Sequence, residues 1–210
     1  MDTGEPNPER MTRVERRRAS TRARIVDAAE RLMREKGLEA VSIQDITEAA
    51  DVGHGTFYLH FKTKADVLQP VIEHLSEGVH AQVDRAARGA GDPALRVSLG
   101  LRLLLRAIAE DELWRAYARS GKTFRGLIAD MGSVPLDDAA RGFESGRFSV
   151  PDFAATERFI DGALVGVISS IGEEGDVDAV AEATTELVLR VLGISAEEAA
   201  QLAREPLTLH

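Results

Sequence analysis

A chain of 210 residues, 44% of them hydrophobic, is long enough to bury one sizeable core, or a small domain joined to a larger one. It contains no cysteine, which excludes disulfides, thiolate nucleophiles and cysteine-ligated zinc. Residues 1–18 are polar and rich in arginine, and no run of about 18 apolar residues follows, so the sequence predicts a cytoplasmic protein without a secretory signal or a membrane span.

The formal net charge of −9 argues against a protein that coats nucleic acid, but the charges are distributed unevenly. Residues 10–36 contain ten arginines and lysines against four acidic residues. Residues 65–210 contain 14 basic against 24 acidic residues, a net charge of −10. One end of the chain is therefore suited to approach phosphates, whereas the rest repels them.

The first part of the chain predicts an arm followed by three helices. Prolines, a glycine and many charges in residues 1–19 favour a flexible basic arm or a frayed helix start. Apolar residues spaced three and four apart then predict helices over residues 20–36, 42–50 and 54–61. Gly37 ends the first helix, and residues 51–53 form the turn between the second and the third.

Helical spacing continues to the end of the chain, and no alternation of period two is bounded by turns, so the predicted fold class is all-α. The fourth helix starts with the capping pattern Thr63-x-x-Asp66 and continues to about residue 88. Further helices are predicted over residues 92–110, 111–119, 122–131, 136–146, 152–173 and 176–192, with a short one from Ser195.

Two short helices joined by a three-residue turn, behind a basic helix, are typical of the helix-turn-helix, whose last helix enters the major groove of DNA. At about 100° per residue, Phe57 and Phe61 share the side of the third helix that packs inward. Gly55 and Leu59 point nearly the opposite way. Glycine allows the backbone to approach DNA closely, and leucine can contact a thymine methyl group.

The same segment also resembles a known family. The string Gly55-Thr56-Phe57-Tyr58-Leu59-His60-Phe61-Lys62-Thr63-Lys64, followed by Val67-Leu68, closely resembles the recognition segment of TetR/AcrR-type transcriptional regulators. Further positions that fit the family's pattern bring the resemblance to residues of about 21–70: Ile25, Ala28, Ala29, Leu32, Gly37, Ser42, Ile43, Ile46, Ala49 and Ala50.

The resemblance implies a domain organisation and a set of DNA contacts. Residues 1–19 would be a flexible basic arm, residues 20–65 a three-helix helix-turn-helix head, and residues 66–210 a larger helical ligand-binding and dimerisation domain, with about nine to ten helices. The side chains implied to contact phosphates are Ser42, Thr56, Tyr58, His60 and Lys64, and the residues implied to face bases are Gln44, His54 and Gly55.

Two residues depart from the family's pattern. Asp51 stands where the family usually has glycine in the turn, although aspartate tolerates left-handed backbone geometry better than most residues. Gly53 stands where a serine usually caps the recognition helix, which predicts a helix start weaker by a few tenths of a kcal/mol.

Apolar and aromatic residues concentrate in the middle of the chain. In the family this region encloses a cavity for a small, often apolar ligand, whose binding moves the fourth helix and changes the spacing of the two heads. The alternative is that these side chains are ordinary core residues. The candidate pocket residues are Leu105, Ile108, Trp114, Tyr117, Phe124 and Ile128.

A single head reads only a few base pairs, so helix-turn-helix proteins usually act as two-fold dimers on palindromic sites. Similar regulators pair their last two long helices with those of a second copy. The predicted helices 152–173 and 176–192 carry small and apolar residues that would suit this pairing, or that would simply complete the core of one chain. The candidate interface residues are Ala163, Gly166, Val167, Ser170, Val180, Thr184, Leu187 and Val191.

The predicted function is a ligand-responsive DNA-binding regulator. It would be a repressor that releases a palindromic operator when a small molecule binds. No catalytic residue, cofactor or metal site is predicted. One alternative is a nucleotide-binding protein, because residues 116–123 match a loose phosphate-loop pattern, though without its first glycine or a preceding strand. The other is a helical interaction protein without DNA affinity. The basic arm and Tyr58, His60 and Lys64 argue against it.

Overall fold

The computed structural model describes residues 12–87, 91–120, 124–130, 134–173 and 175–207. These residues form eleven α-helices and no strand, which confirms the predicted all-α class. The chain divides into two compact units, the first ending at Val71 and the second beginning at Ile72. In the part of the chain that the structure describes, no helix is long and apolar enough to cross a membrane.

The first unit opens with helix α1, Arg13–Lys36. Residues 13–19 are therefore helical, although the composition predicts a flexible arm there, and residues 1–11 lie outside the described part of the chain. The helix starts early because Thr12 and Glu15 form a capping box, in which each side chain accepts a hydrogen bond from the other residue's backbone N–H. Thr12-x-x-Glu15 is the sequence signal that the proline-rich context obscures.

Helices α2, Ile43–Ala49, and α3, His54–Tyr58, complete the first unit before α4 begins. The predicted cap of α2 is confirmed, since Ser42 and Asp45 form a second capping box. The apolar faces of the three helices supply fully buried side chains, among them Ile25, Ala29, Ile46 and Phe57. This small core fixes the orientation of α3, because burying the Phe57 side of so short a helix leaves its opposite side exposed.

Helix α4 begins at Lys64 in the first unit and ends in the second, and seven more helices follow it in the described residues. The division between the units lies a few residues beyond the predicted boundary at 65, within the first turns of α4. The helices are α4 Lys64–Ala86, α5 Pro93–Glu110, α6 Glu112–Ala118, α7 Phe124–Asp130, α8 Val134–Glu144, α9 Phe153–Ser170, α10 Val177–Val191 and α11 Ala196–Ala203.

Helix α5 is the centre of the second unit, where it contacts α6, α8, α10 and α11. Its start is the predicted one, with Asp92 as N-cap and Pro93 in the first turn. Two polar side chains of α5 bind backbone carbonyls in and just after α11: Ser98 Oγ donates to the carbonyl of Leu202 at 2.7 Å, and Arg102 Nη1 donates to that of Glu205 at 2.6 Å. The C-terminal helix is thereby held against α5.

Candidate nucleic-acid interface and interior cavity

Helix α3 and the two residues that follow it, Leu59 and His60, carry most of the residues predicted to contact DNA. Phe57 and Phe61 are 0% and 4% exposed and pack inward, as predicted, whereas Tyr58 and Leu59 are 52% and 72% exposed. His54 and Gly55 are also exposed, and Thr56 and His60 are half-buried. An apolar side chain this exposed is not part of the core, and such a side chain is typical of a surface that contacts another molecule.

Gly55 has no structural requirement within its own chain. A Cβ atom built at this position meets nothing within 4 Å, and the residue does not adopt a positive φ. A larger side chain would therefore fit the isolated protein, and a helix interior normally prefers alanine to glycine. The described residues thus supply no requirement for glycine at this position.

The turn before α3 contains both departures from the family's pattern. Asp51 has a φ of 50°, the left-handed region in which glycine is usual. Arg24 of α1 supports it, since its Nη2 donates to the Asp51 carbonyl at 3.0 Å. Gly53 is the N-cap of α3 with an extended backbone, and no side-chain oxygen caps the helix. The turn thus keeps its geometry, whereas the helix start lacks one stabilising bond.

Three predicted DNA contacts outside α3 already take part in intramolecular bonds. Ser42 caps α2, and its Oγ accepts from the Asp45 N–H at 3.1 Å. The Gln44 side chain, which is exposed, donates to Glu48 at 2.9 Å. Lys64 Nζ donates to the carbonyls of Leu38 and Glu39, each at 3.2 Å. The ammonium of Lys64 keeps a third N–H for another acceptor.

Two arginines of α1 contact the end of the recognition segment, whereas the sequence pattern indicates them only as general positive charge. Arg18 Nη2 donates to the Leu59 carbonyl at 3.5 Å, and the Arg22 guanidinium lies 5.2 Å from the centre of the Phe61 ring, a cation–π distance. Their spacing of four residues, which puts both on one face of α1, is the signal that could have identified them.

These arginines also affect His60. Burial is the main cause that lowers the pKa of His60 below its usual value of 6.5, and the positive charges of Arg18 and Arg22 act in the same direction. The neutral imidazole is therefore favoured in the free protein. The local field of the segment is positive, which favours a negatively charged partner.

The second unit contains a cavity of about 760 Å³, within the range of roughly 300–1,000 Å³ typical of ligand sites. Helices α4, α5, α7, α8, α9 and α10 contribute to its wall. Two of the six candidate pocket residues, Phe124 and Ile128, line it. The other four are buried but do not line this cavity: Leu105, Ile108, Trp114 and Tyr117.

The wall of this cavity is largely apolar, with charged groups around Arg96 and Asp138 and around Arg125 and Glu157. Arg96 donates from Nε to Asp138 and from Nη2 to Asp84, each at 2.8 Å. Asp138 is only 3% exposed and also accepts a bond from Arg141. Nearby, His80 lines the cavity, and burial lowers its pKa although Asp84, Asp138 and Glu77 act in the opposite direction.

The eight candidate dimer residues lie on α9 and α10, and none of them is buried in the single chain. Leu187 is 60% and Val180 is 37% exposed, and a Cβ atom at Gly166 would meet nothing within 4 Å. Ala163 and Ser170 are exposed, and Val167, Thr184 and Val191 are half-buried. None of these residues is fully buried by the described part of the chain, and α9 and α10 therefore leave an apolar strip at least partly exposed.

The predicted alternatives find no support in the described residues. Ala116, the first position of the loose phosphate-loop pattern, lies in helix α6 rather than after a strand, and residues 121–123 lie outside the described part of the chain. Among the residues described, no group of three or more histidines, aspartates or glutamates could hold a metal ion.

Comparison with known proteins identifies both parts of the chain. Residues 25–71 match the family model described as bacterial regulatory proteins, tetR family. Residues 92–205 match the model described as the tetracyclin repressor-like C-terminal domain. The second match alone covers more than half of the chain, and it begins at the Asp92 that caps α5.

Individual relatives agree with both matches. The transcriptional repressor KstR of Mycolicibacterium smegmatis is 30% identical over 130 residues, which are 60% of this chain and 64% of KstR. The transcriptional regulator TtgR of Pseudomonas putida is 39% identical over 67 residues, which are 32% of this chain and 31% of TtgR. The chain thus spans less than two thirds of each. The crystal structure of RolR with its ligand resorcinol is 33% identical, with a TM-score of 0.72 over 91% of this chain and 96% of RolR. The chain therefore belongs to the TetR family of bacterial regulatory proteins.

Proposed function

We propose that the protein is a ligand-responsive DNA-binding transcriptional regulator. The observation that carries the proposal is the exposed face of α3, where Tyr58 and Leu59 project away from the buried Phe57 and Phe61. The exposed Gly55 has no requirement of its own chain for glycine, and a close approach to DNA supplies one. The acidic second unit would stay away from the phosphates, while the basic α1 would approach them.

The DNA contacts follow from this placement. Leu59 would contact a thymine methyl group in the major groove. The proposed phosphate contacts are Ser42, Thr56, Tyr58, His60 and Lys64, and the residues facing bases are Gln44, His54 and Gly55. Two copies joined through the exposed strip of α9 and α10 would place two heads on a palindromic operator.

A small, largely apolar molecule bound in the cavity would control the regulator. The protein would act by binding rather than by catalysis, and it would do so in the cytoplasm, where the DNA is. Helix α4 lines the cavity through Val79 and Val83 and begins at Lys64, directly after the recognition segment. A ligand that favours one position of α4 would change DNA affinity, and release of the operator would make the protein a repressor. RolR was crystallised with resorcinol, so resorcinol is a rational first probe.

The proposal is tested by gel-shift titration with the DNA upstream of the protein's own gene. We expect Gly55→Ala to weaken specific binding by about tenfold or more, because a methyl group would separate α3 from the bases. Gly78→Ala is the matched control, since Gly78 is also an exposed helical glycine with open space around its Cβ position. Both changes should leave the fold intact.

The Tyr58→Ala/His60→Ala double variant should also lose most specific binding, because it removes two donors to the phosphates. Undiminished specific binding by Gly55→Ala and by this double variant would overturn the assignment of the DNA-binding surface.

A further inference from the structure

The first turns of α1, residues 13–18, carry a high density of positive charge. They contain four arginines and a single acidic residue, Glu15, which is bound to Thr12 in the capping box. Arg13 and Arg17 are exposed, and neither forms an ion pair with any residue that the structure describes. Their guanidinium groups are therefore suited to bind an anionic partner.

These arginines are unfavourable for α1 itself. The start of a helix carries a partial positive charge, so cations there destabilise the helix and anions stabilise it. Arg13, Arg16 and Arg17 all lie within the first five residues of α1. Helix stability therefore does not explain arginine at these positions. A negatively charged partner would turn the same charges into favourable, charge-assisted hydrogen bonds.

Two contacts of α1 determine its course beside the recognition segment. Arg24 Nη2 donates to the carbonyl of Asp51, in the turn before α3, at 3.0 Å. Arg18 Nη2 donates to the carbonyl of Leu59, just after α3, at 3.5 Å. The order of the contacts is reversed along the two elements, so α1 approaches the end of the segment as it is followed back towards Arg13. At 1.5 Å per residue, Arg13 lies about 7.5 Å further along the axis of α1 than Arg18.

The side of α1 that faces the segment continues into these first turns and is exposed there. Val14 precedes Arg18 by four residues, so it lies on the same side of α1, and it is 76% exposed. Arg17 precedes Arg24 by seven residues, about two turns, so it lies on the side that contacts the turn before α3. The first turns of α1 thus present a basic surface close to Leu59, which is itself 72% exposed.

We propose that the first turns of α1 bind the operator directly, and that Arg13 and Arg17 contact phosphates beyond those that the recognition segment contacts. A DNA duplex matches this surface in charge, since each strand carries a phosphate about every 3.4 Å, and arginine can bind a phosphate through two parallel N–H groups. Such contacts read no bases, so they add affinity for any sequence. The inference rests on the proposed function and extends it, because none of the contact residues named there lies on α1.

The test measures how salt affects DNA binding by the full-length protein. Fluorescence anisotropy at several KCl concentrations gives the slope of the logarithm of the association constant against the logarithm of the salt concentration, for the operator and for an unrelated duplex of equal length. With Arg13→Gln/Arg17→Gln, a complex with two heads would lose four phosphate contacts. We expect its slope to become shallower by about 3 to 4, and its affinity for both duplexes to fall at least about tenfold. The ratio of the two affinities should stay the same.

Two further variants separate charge from structure. Arg13→Lys/Arg17→Lys keeps both charges and should retain most of the slope, whereas Arg85→Gln removes an exposed charge from α4 and should leave the slope unchanged. Glutamine has a helix propensity similar to that of arginine and removes charges that α1 disfavours, so Arg13→Gln/Arg17→Gln should resist urea at least as well as wild-type protein. A glutamine variant that unfolds at lower urea concentration and keeps the wild-type slope would assign these arginines to the stability of α1 and overturn the inference.

The same titrations distinguish this inference from the proposed function. Specific operator binding by the wild-type protein, with an unchanged slope in Arg13→Gln/Arg17→Gln, would refute the role of the first turns of α1 alone. Equal binding of both duplexes by the wild-type protein, with a shallower slope in that variant, would refute a sequence-specific regulator and leave the contact of α1 with DNA standing. Gly55→Ala provides the converse, since it should lower the ratio of the two affinities and leave the slope unchanged.

Discussion

At the scale of single residues, the exposed face of the recognition segment depends on what lies beneath it. Buried Phe57 and Phe61 leave Tyr58 and Leu59 in solvent, and Arg18 and Arg22 bring positive charge to the end of the segment. The sequence predicts the inward and outward sides of α3 correctly, because a helix has a fixed angle per residue. It does not predict the contacts of Arg18 and Arg22, which depend on how α1 packs against the segment.

The lowered pKa of His60 predicts how DNA binding depends on pH. Burial, Arg18 and Arg22 disfavour the imidazolium in the free protein, whereas a DNA phosphate beside it favours the imidazolium. The complex therefore binds protons more tightly than the free protein, and we expect DNA affinity to rise as pH falls from about 7.5 through the usual histidine value of about 6.5. Fluorescence anisotropy of labelled operator at constant ionic strength measures this slope.

The control for this pH dependence is a pair of variants. His60→Gln should flatten the slope, and His74→Gln, an exposed histidine of α4, should leave it unchanged. An equal slope in wild-type protein and His60→Gln would show that His60 does not bind a proton when the complex forms.

At the scale of elements, capping residues account for most helix starts. Thr12, Ser42, Asp92, Asp111 and Ser195 all accept a hydrogen bond from the first turn of the helix they precede. Four of these helix starts were predicted within about two residues, because a cap is a local signal that does not depend on tertiary packing. The start of α1 was missed, although Thr12 and Glu15 form the same kind of signal.

The uncapped start of α3 gives a stability prediction. Gly53 has a φ of −68° and a ψ of 149°, which serine adopts readily, and a Cβ atom there would meet only Thr56 Oγ1 at 3.8 Å. We expect the unfolding free energy of Gly53→Ser to exceed that of Gly53→Ala by about 1 kcal/mol, because only serine supplies a capping oxygen. Urea denaturation of the two variants measures the difference. Equal stabilities would mean that the serine side chain does not cap α3.

At the scale of the whole molecule, the proposed dimer explains why apolar residues of α9 and α10 are exposed. Leu187 and Val180 lie outside the core of the chain, as do the small residues Ala163 and Gly166. Small side chains allow two helices to approach closely, and the exposed leucine would be buried on association. The amphipathic pattern of these helices predicts an apolar face, but only the structure shows that the described residues leave this face uncovered.

The dimer is tested by replacing the exposed leucine. We expect wild-type protein to sediment as a dimer at micromolar concentration, and Leu187→Glu to raise the dimer dissociation constant by at least about tenfold, because each copy would bury an unpaired carboxylate. Val14→Glu changes another exposed apolar residue, outside the proposed interface, and should have no effect on sedimentation. A wild-type monomer, or an unaffected Leu187→Glu dimer, would contradict the proposed interface.

The sequence by itself determined the all-α class, the bounds of most helices within about two residues and the family, because helical spacing, caps and the segment from Gly55 to Lys64 are local properties of the chain. The third helix is shorter than predicted, since it ends at Tyr58 rather than at about residue 61. Only the tertiary structure decided which apolar residues line the cavity. Trp114 and Tyr117 have the pattern expected of pocket residues but are buried without lining it, whereas Phe143 and His80 line it. Periodicity shows which side of a helix is apolar; whether that side meets another helix or an open space depends on how distant helices pack.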